Sequence, residues 1–386
     1  MLADKPITDP YYANIDRIIR EEGAAKVSET ERIFRIARCA NGAGIDYSDV
    51  RRVIADITSL AAWYDAWQKC ADRYARLAAD AEAKGRTITA GGHWFRAALL
   101  YHYAQLFTRP EDVRRREGQK LRVEYYRRAC PWLQPPVEPV SIPYGALKLP
   151  GYLRLPERRS GRVPVVIMIP GANSVKEELH HWAEWIVKRG VATLTIDGPG
   201  QGAMSAANGG VPCDLRRYHE AVTAMIDYVG THVELDVTRV ALLGQSTGGN
   251  LVLGAAGHEH RPRAVVSLGG GFDFRGKTSA ITPIDVKEEA RDLYGLPSLD
   301  ALTDYIARDG SLAGVIAKIR CPILLIHSGM DFLVPQAEID AIKGEATAPC
   351  ESLYYEDMGH SITGRNVEMS PAMADWVVEK LRESKS

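Results

Sequence analysis

The chain has 386 residues, 46% hydrophobic and 25% charged, which is globular composition with room for two packed units. Its 48 basic and 49 acidic side chains leave a formal net charge of -1, so the balance points away from nucleic acid and anionic membranes as partners. No apolar run approaches the roughly 20 residues that span a bilayer. No apolar stretch follows a basic start at Met1-Leu2-Ala3-Asp4-Lys5-Pro6, so no signal peptide is expected and a cytoplasmic location is. Cys39, Cys70, Cys130, Cys213, Cys321 and Cys350 are scattered, with none at CxxC or metal-ligand spacing, and read as reduced, mostly buried thiols.

The first third reads as helix. From Tyr47 to Phe107 the apolar residues recur at three- and four-residue spacing. Lys84-Gly85-Arg86-Thr87 interrupts the pattern, with Gly85 as the stop signal, and a second stretch runs from Gly92 to Phe107. A basic helix is expected over Glu111 to Ala129. Its arginines alternate with Glu117 and Glu124, which suits a solvated face with local ion pairs better than a nucleic-acid surface. Pro131, Pro135, Pro136 and Pro139 then mark a linker.

Beyond the linker, short apolar runs alternate with helical patterns. Val140–Leu155 reads as an antiparallel pair turning near Gly145. Val163–Ile169, Ala192–Ile196, Val240–Leu243, Ala264–Leu268, Ile323–Ile326 and Ser352–Tyr355 read as strands mostly buried on both faces. That alternation predicts an α/β fold with a mainly parallel sheet, helices on both faces, and a site beyond the carboxyl ends of the strands. The domain division expected is 1–136, helical, and 137–386, α/β.

Candidate chemistry lies at those strand ends. Gly244-Gln245-Ser246-Thr247-Gly248 joins a strand to a helix, where small residues allow the tight turn that exposes a serine hydroxyl. A serine is a weak nucleophile and needs a base. His360 follows the last strand and Asp331 the preceding one, so the chain order is Ser, Asp, His. Pro170-Gly171-Ala172-Asn173-Ser174 follows Val163–Ile169. It offers a backbone donor for an oxyanion, from Ala172 or Gly171, beside the Thr247 N–H. Asp197-Gly198-Pro199-Gly200-Gln201-Gly202 matches neither GxGxxG nor a P-loop and reads as a structural turn. No histidine–carboxylate cluster has ligand spacing. His180 and His181 are adjacent on a helix and point apart, so neither a metal nor an organic cofactor is expected.

Together these motifs resemble the α/β-hydrolase family grouped around 2,6-dihydroxypseudooxynicotine hydrolase, with fungal polyketide-shortening hydrolases and FrsA-like esterases. The likeness rests on Gly171 with Ser174-Val175-Lys176-Glu177-Glu178, on Asp197 to Gly202, on the serine elbow with Gly249-Asn250, and on Ala372-Met373-Ala374-Asp375-Trp376. In the helical part it rests on Gly85-Arg86, Ala90-Gly91, Trp94-Phe95-Arg96-Ala97 and Leu99-Leu100-Tyr101. The resemblance implies an N-terminal helical cap, a homodimer, a Ser246–His360–Asp331 triad, and an oxyanion hole at Thr247 and Ala172. The elbow departs from relatives at Gln245 and Thr247. The resemblance also implies an extra acidic residue after the strand following the elbow, where Asp273 is nearest and Asp285 and Glu288 lie further on.

The expected activity is hydrolysis of a C–C bond next to a ketone in a small molecule, aromatic or polyketide-like. The alternative is a carboxylesterase or amidase with the same machinery. The cap aromatics should be mainly helix–helix core, with a few left to contact substrate. His102 and Arg96 are the polar candidates, and Trp94 and Tyr101 the aromatic ones.

Overall fold

The computed structural model describes residues 10–27, 44–108, 112–274, 278, 282 and 284–382. The chain divides into two compact units, Met1–Val137 with Pro283–Asp285, and Glu138–Thr282 with Val286–Ser386.

The first unit is helical: α1 (Pro10–Glu22), α2 (Tyr47–Asp56), α3 (Trp63–Ala83), α4 (Thr87–Ala104) and α5 (Val113–Ala129). Asp46 and Asp112 cap α2 and α5 by accepting from the N–H two residues on. The turn after α3 closes on Gly85 at φ +68°, with Gly85 N–H donating to Glu82 O and Arg86 N–H to Ala81 O. That pair of bonds satisfies two carbonyls at the helix end and needs a residue tolerant of positive φ. Helix α4 is the core of this unit, with Trp94, Leu99, Leu100 and Tyr103 buried along it and Trp63 and Trp67 of α3 buried too.

Helix α4 starts five residues before the expected Gly92. The reason lies at Gly91, where a Cβ would stand 2.4 Å from Trp132 Cβ. The glycine is there for close packing and does not mark a helix end. Helix α5 carries local ion pairs, Lys120 with Glu117 and Arg114 with Asp112, and also pairs that sequence spacing does not show, Arg114 with Asp65 and Arg128 with Glu82 on α3. Arg122 departs from the solvated-face reading, since it is fully buried. Cys39 and Glu111 lie outside the described residues.

The second unit holds one eight-stranded sheet, ordered β1-β2-β4-β3-β5-β6-β7-β8. The strands are β1 (Val137–Tyr144), β2 (Leu147–Arg154), β3 (Val163–Ile169), β4 (Ala192–Ile196), β5 (Leu235–Gln245), β6 (Ala264–Leu268), β7 (Ile323–Ser328) and β8 (Cys350–Tyr355). β2 meets β4 antiparallel, and every pairing from β4 through β3 to β8 is parallel. Pro139 is accommodated because β1 is an edge strand. β3, β4, β6 and β7 are buried along their whole length, whereas β8, the other edge, is mostly half-buried.

Side chains alternate across the sheet. Val166, Met168, Ala241, Leu243, Val266 and Leu324 pack with α6 (His180–Val187) and α12 (Asn366–Arg382) in one cluster. The alternate residues of the same strands face the opposite way, where α7 (Tyr218–Thr231) and α8 (Thr247–Ala256) pack against β5. Burying Leu or Ile side chains in such a core contributes about 1.5–3 kcal/mol each. The remaining helices are α9 (Ile284–Leu293), whose first two residues fall in the first unit, α10 (Leu299–Asp309) and α11 (Gln336–Glu345). The chain leaves β3 toward β4 on one side, while β5 lies on the other. Open α/β sheets bind ligands at such a reversal, beyond the carboxyl ends of the flanking strands.

Candidate active site

The turn between β5 and α8 holds Ser246 at φ 53°, ψ -120°, a backbone conformation that a non-glycine residue adopts only when its surroundings hold it. Ser246 N–H donates to Leu268 O of β6 at 2.7 Å, and Gly249 N–H donates to Ser246 O at 2.8 Å. The flanking glycines are sterically required. A Cβ on Gly244 would stand 2.0 Å from Gly248 O, and one on Gly248 would stand 2.4 Å from Ile169 O.

His360 Nε2 lies 2.7 Å from Ser246 Oγ, and its Nδ1 lies 2.7 Å from Asp331 Oδ2. A carboxylate only accepts, so the proton is assigned to Nδ1, which leaves Nε2 to accept from the serine hydroxyl. Asp331 is buried, and its Oδ1 accepts from the N–H groups of Leu333 and Val334 at 3.0 and 3.2 Å. These bonds fix the carboxylate's orientation. The loop carrying His360 is tied to β7 by Ser328 Oγ, which donates to Gly359 O at 2.9 Å. Such a row can take a proton from an alcohol and hold the resulting imidazolium.

The loop after β3 runs beside the elbow. Gly171 has no side chain to collide: a Cβ there would stand 3.1 Å from Ser246 Cβ. Its N–H donates to Gln245 Oε1 at 3.3 Å. The N–H groups of Ala172 and Thr247 meet no acceptor among the described residues. Of the three candidate donors, Gly171 is therefore engaged by a side chain.

The chain matches the family described as Esterase FrsA-like over residues 9–274, and the prolyl oligopeptidase family over residues 178–384. It belongs to the FrsA-like esterase family. This FrsA-like hydrolase is 32% identical, over 345 residues, to 2,6-dihydropseudooxynicotine hydrolase of Paenarthrobacter nicotinovorans, a match covering 88% of this chain and 89% of that one. The crystal structure of 2,6-dihydroxy-pseudo-oxynicotine hydrolase superposes with a TM-score of 0.80 at 29% identity, covering 90% of this chain and 95% of the other. The 20-hydroxy-prefusarin hydrolase FUS2 of Gibberella moniliformis is 33% identical over 224 residues, which is 55% of this chain and 52% of that protein. The chain thus spans about half the length of that fungal relative. The resemblance read from the motifs and the α/β-hydrolase fold both hold.

A buried ion-pair network holds the β3 and β4 loops of this hydrolase together. Lys176 Nζ lies 2.6 Å from Asp197 Oδ2 and 2.9 Å from Glu177 Oε1, and all three side chains are at most 2% exposed. Lys176 N–H and Ala203 N–H also donate to Asp197, at 2.9 and 3.0 Å. Gln201 Nε2 donates to Pro170 O at the root of the candidate oxyanion loop. The Asp197–Gly202 turn is therefore structural, but it braces that loop through charges that sequence reasoning missed. Lys176→Met leaves two buried carboxylates without their shared cation. It should lower stability by about 3–5 kcal/mol. The check is a urea titration of the full chain, where an unchanged midpoint would show that the pair contributes nothing.

The four residues expected to touch substrate sit on α4. Trp94 donates to Glu82 and contacts Tyr125 and Arg128, whose guanidinium carbon is 3.6 Å from the ring centre. Tyr101 donates to Asp72, and burial with that carboxylate beside it pushes the phenol well above its ordinary range. His102 is fully buried, with its Nδ1 2.6 Å from Gln105 Nε2. Arg96 donates to Gly92 O at 2.9 Å and is the partly exposed member of the four.

Burial and the nearby Arg154 push His180 down to about 4, so it stays neutral. Asp357 is exposed and paired with Arg365 at 2.5 Å. Asp273 N–H donates to Glu338 Oε2 at 2.7 Å. Burial, with the Asp273 carboxylate beside it, raises Glu338 from its ordinary value. Glu288 is half-buried on α9, and the side chain of Asp285 lies outside the described residues. No described helix is long and apolar enough to cross a membrane.

Proposed function

We propose that this hydrolase works through a Ser246 acyl-enzyme and cleaves a C–C bond next to a ketone, in a β-diketone, an acyl-phenol or a polyketide-like substrate. The observation that carries the reading is the hydrogen-bonded row Ser246–His360–Asp331 at the carboxyl ends of β5, β8 and β7. Ser246 Oγ attacks the carbonyl carbon while His360 Nε2 takes its proton. The N–H groups of Thr247 and Ala172 receive the tetrahedral alkoxide. The C–C bond then breaks, and the carbon leaving group departs as an enolate or electron-rich arene protonated by His360. Water, deprotonated by His360, attacks the acyl carbon; the bond to Ser246 Oγ breaks, His360 returns the proton to Oγ, and the acid is released. Asp331 holds the imidazole in the required tautomer and stabilises its cation.

The esterase reading has support of its own, because the matching family is described as Esterase FrsA-like. The protein groups would do the same work there, and only the leaving atom differs. The relatives' names also favour small organic substrates. Of the residues on α4, Arg96 is the one we retain as a substrate-orienting group, since Trp94, Tyr101 and His102 are buried.

A turnover panel separates the two readings. β-Diketones and acyl-phenols of increasing size should be cleaved with kcat/KM above that of the matching aryl esters. Turnover of the esters alone would leave a carboxylesterase.

A further inference from the structure

Gln245 precedes the serine and is 5% exposed. A buried primary amide costs free energy unless its carbonyl and NH₂ both find partners. Here each partner belongs to a different catalytic loop. Oε1 accepts from Gly171 N–H in the β3 loop at 3.3 Å, and Nε2 donates to Ser361 Oγ beside His360 at 3.2 Å. Gly171 N–H can only donate, so it fixes which end of the carboxamide faces which loop.

We propose that Gln245 is a positioning residue for hydrolysis. Its carboxamide holds the candidate oxyanion loop and the His360 loop in one register about Ser246. This rests on the serine-hydrolase reading above.

The backbone around His360 shows why such a hold is needed. Ser361 and Ile362 both lie in the left-handed region, at φ 63° and 52°. Non-glycine residues stay there only when the surroundings constrain them. Gly359, on one side of His360, is held by Ser328, and Ser361, on the other, is held by Gln245. In the other loop, Gln201 holds Pro170 O and Gln245 holds Gly171 N–H, just before the Ala172 N–H. The side chain needed at 245 must therefore accept at one end, donate at the other and reach both loops. It must also be neutral, because a carboxylate there would oppose the negative charge developing on the oxyanion. Glutamine meets all four conditions.

The test uses Gln245→Met, Ser361→Ala and the double variant in the full chain, with p-nitrophenyl acetate turnover and the rate of inactivation by a fluorophosphonate. Gln245→Met should lower kcat and the inactivation rate together, by on the order of 10- to 100-fold. KM should change little. Ser361→Ala attacks the same bridge from its other end and should slow both rates as well, even if Gln245→Met does not fold. In the double variant the losses should fall short of the product of the single ones. Wild-type rates in either single variant, or losses that multiply, would overturn the proposal. If the wild-type protein itself resists the fluorophosphonate, the serine-hydrolase reading fails first and takes the proposal with it.

Discussion

Replacing Ser246 by alanine lowers kcat by about 10⁶-fold and leaves the fold in place. The size follows from the way the row works as a unit. His360 Nε2 stands 2.7 Å from Ser246 Oγ, so removing the hydroxyl leaves the base with nothing to deprotonate. What survives is the contribution of the oxyanion donors and of binding, about 10³- to 10⁴-fold over water. Alanine should fit the site, because the strained backbone at φ 53° is held by the bonds to Leu268 and Gly249, not by the side chain. The measurement is kcat on p-nitrophenyl acetate beside the far-UV circular dichroism spectrum. Activity above a few per cent in a folded variant would move the nucleophile elsewhere.

Asp331→Asn should cost about 10⁴-fold in kcat. The carboxylate accepts the Nδ1 proton of His360 at 2.7 Å, and its other oxygen is fixed by Leu333 and Val334 N–H. Asparagine keeps the two backbone bonds through its carbonyl. Its NH₂ then faces Nδ1 and favours the tautomer with the proton on Nε2, where it cannot accept from the serine. The negative charge that stabilises the imidazolium is lost as well. KM should change little, because Asp331 is buried behind the imidazole and its oxygens are occupied. Near-normal kcat would assign the orienting role to another carboxylate. Asp357 is ill placed for it, being exposed and held by Arg365.

What could be read from the sequence follows from where information is local. The buried strands β3, β4 and β6 are short runs of mainly apolar or β-branched residues and match their expected bounds. Ser246, Asp331 and His360 each follow a strand of the parallel part of the sheet, and parallel pairing brings strand ends together, so their side chains meet. Contacts between distant segments left no local signal. Gln245 looks like the variable residue of a GxSxG turn until Gly171 and Ser361 are placed around it. Lys176, Glu177 and Asp197 look like surface charges, and only folding brings them together without water. Arg122 was legible as one more arginine on a basic helix, yet it is buried. The second helical stretch is expected from Gly92, but the helix already includes Gly91, whose lack of a side chain serves contact with Trp132. Trp94 and Tyr101 meet Tyr125 and Asp72 of their own unit, contacts that spacing along one helix does not show.

The most direct test of the central claim is covalent labelling with a fluorophosphonate, followed by tryptic mass spectrometry. The account predicts one adduct per chain, on the peptide containing Ser246. It also predicts that the adduct is lost in Ser246→Ala and forms far more slowly in Asp331→Asn. No adduct in the active wild-type protein, or an adduct on any other residue, would contradict it.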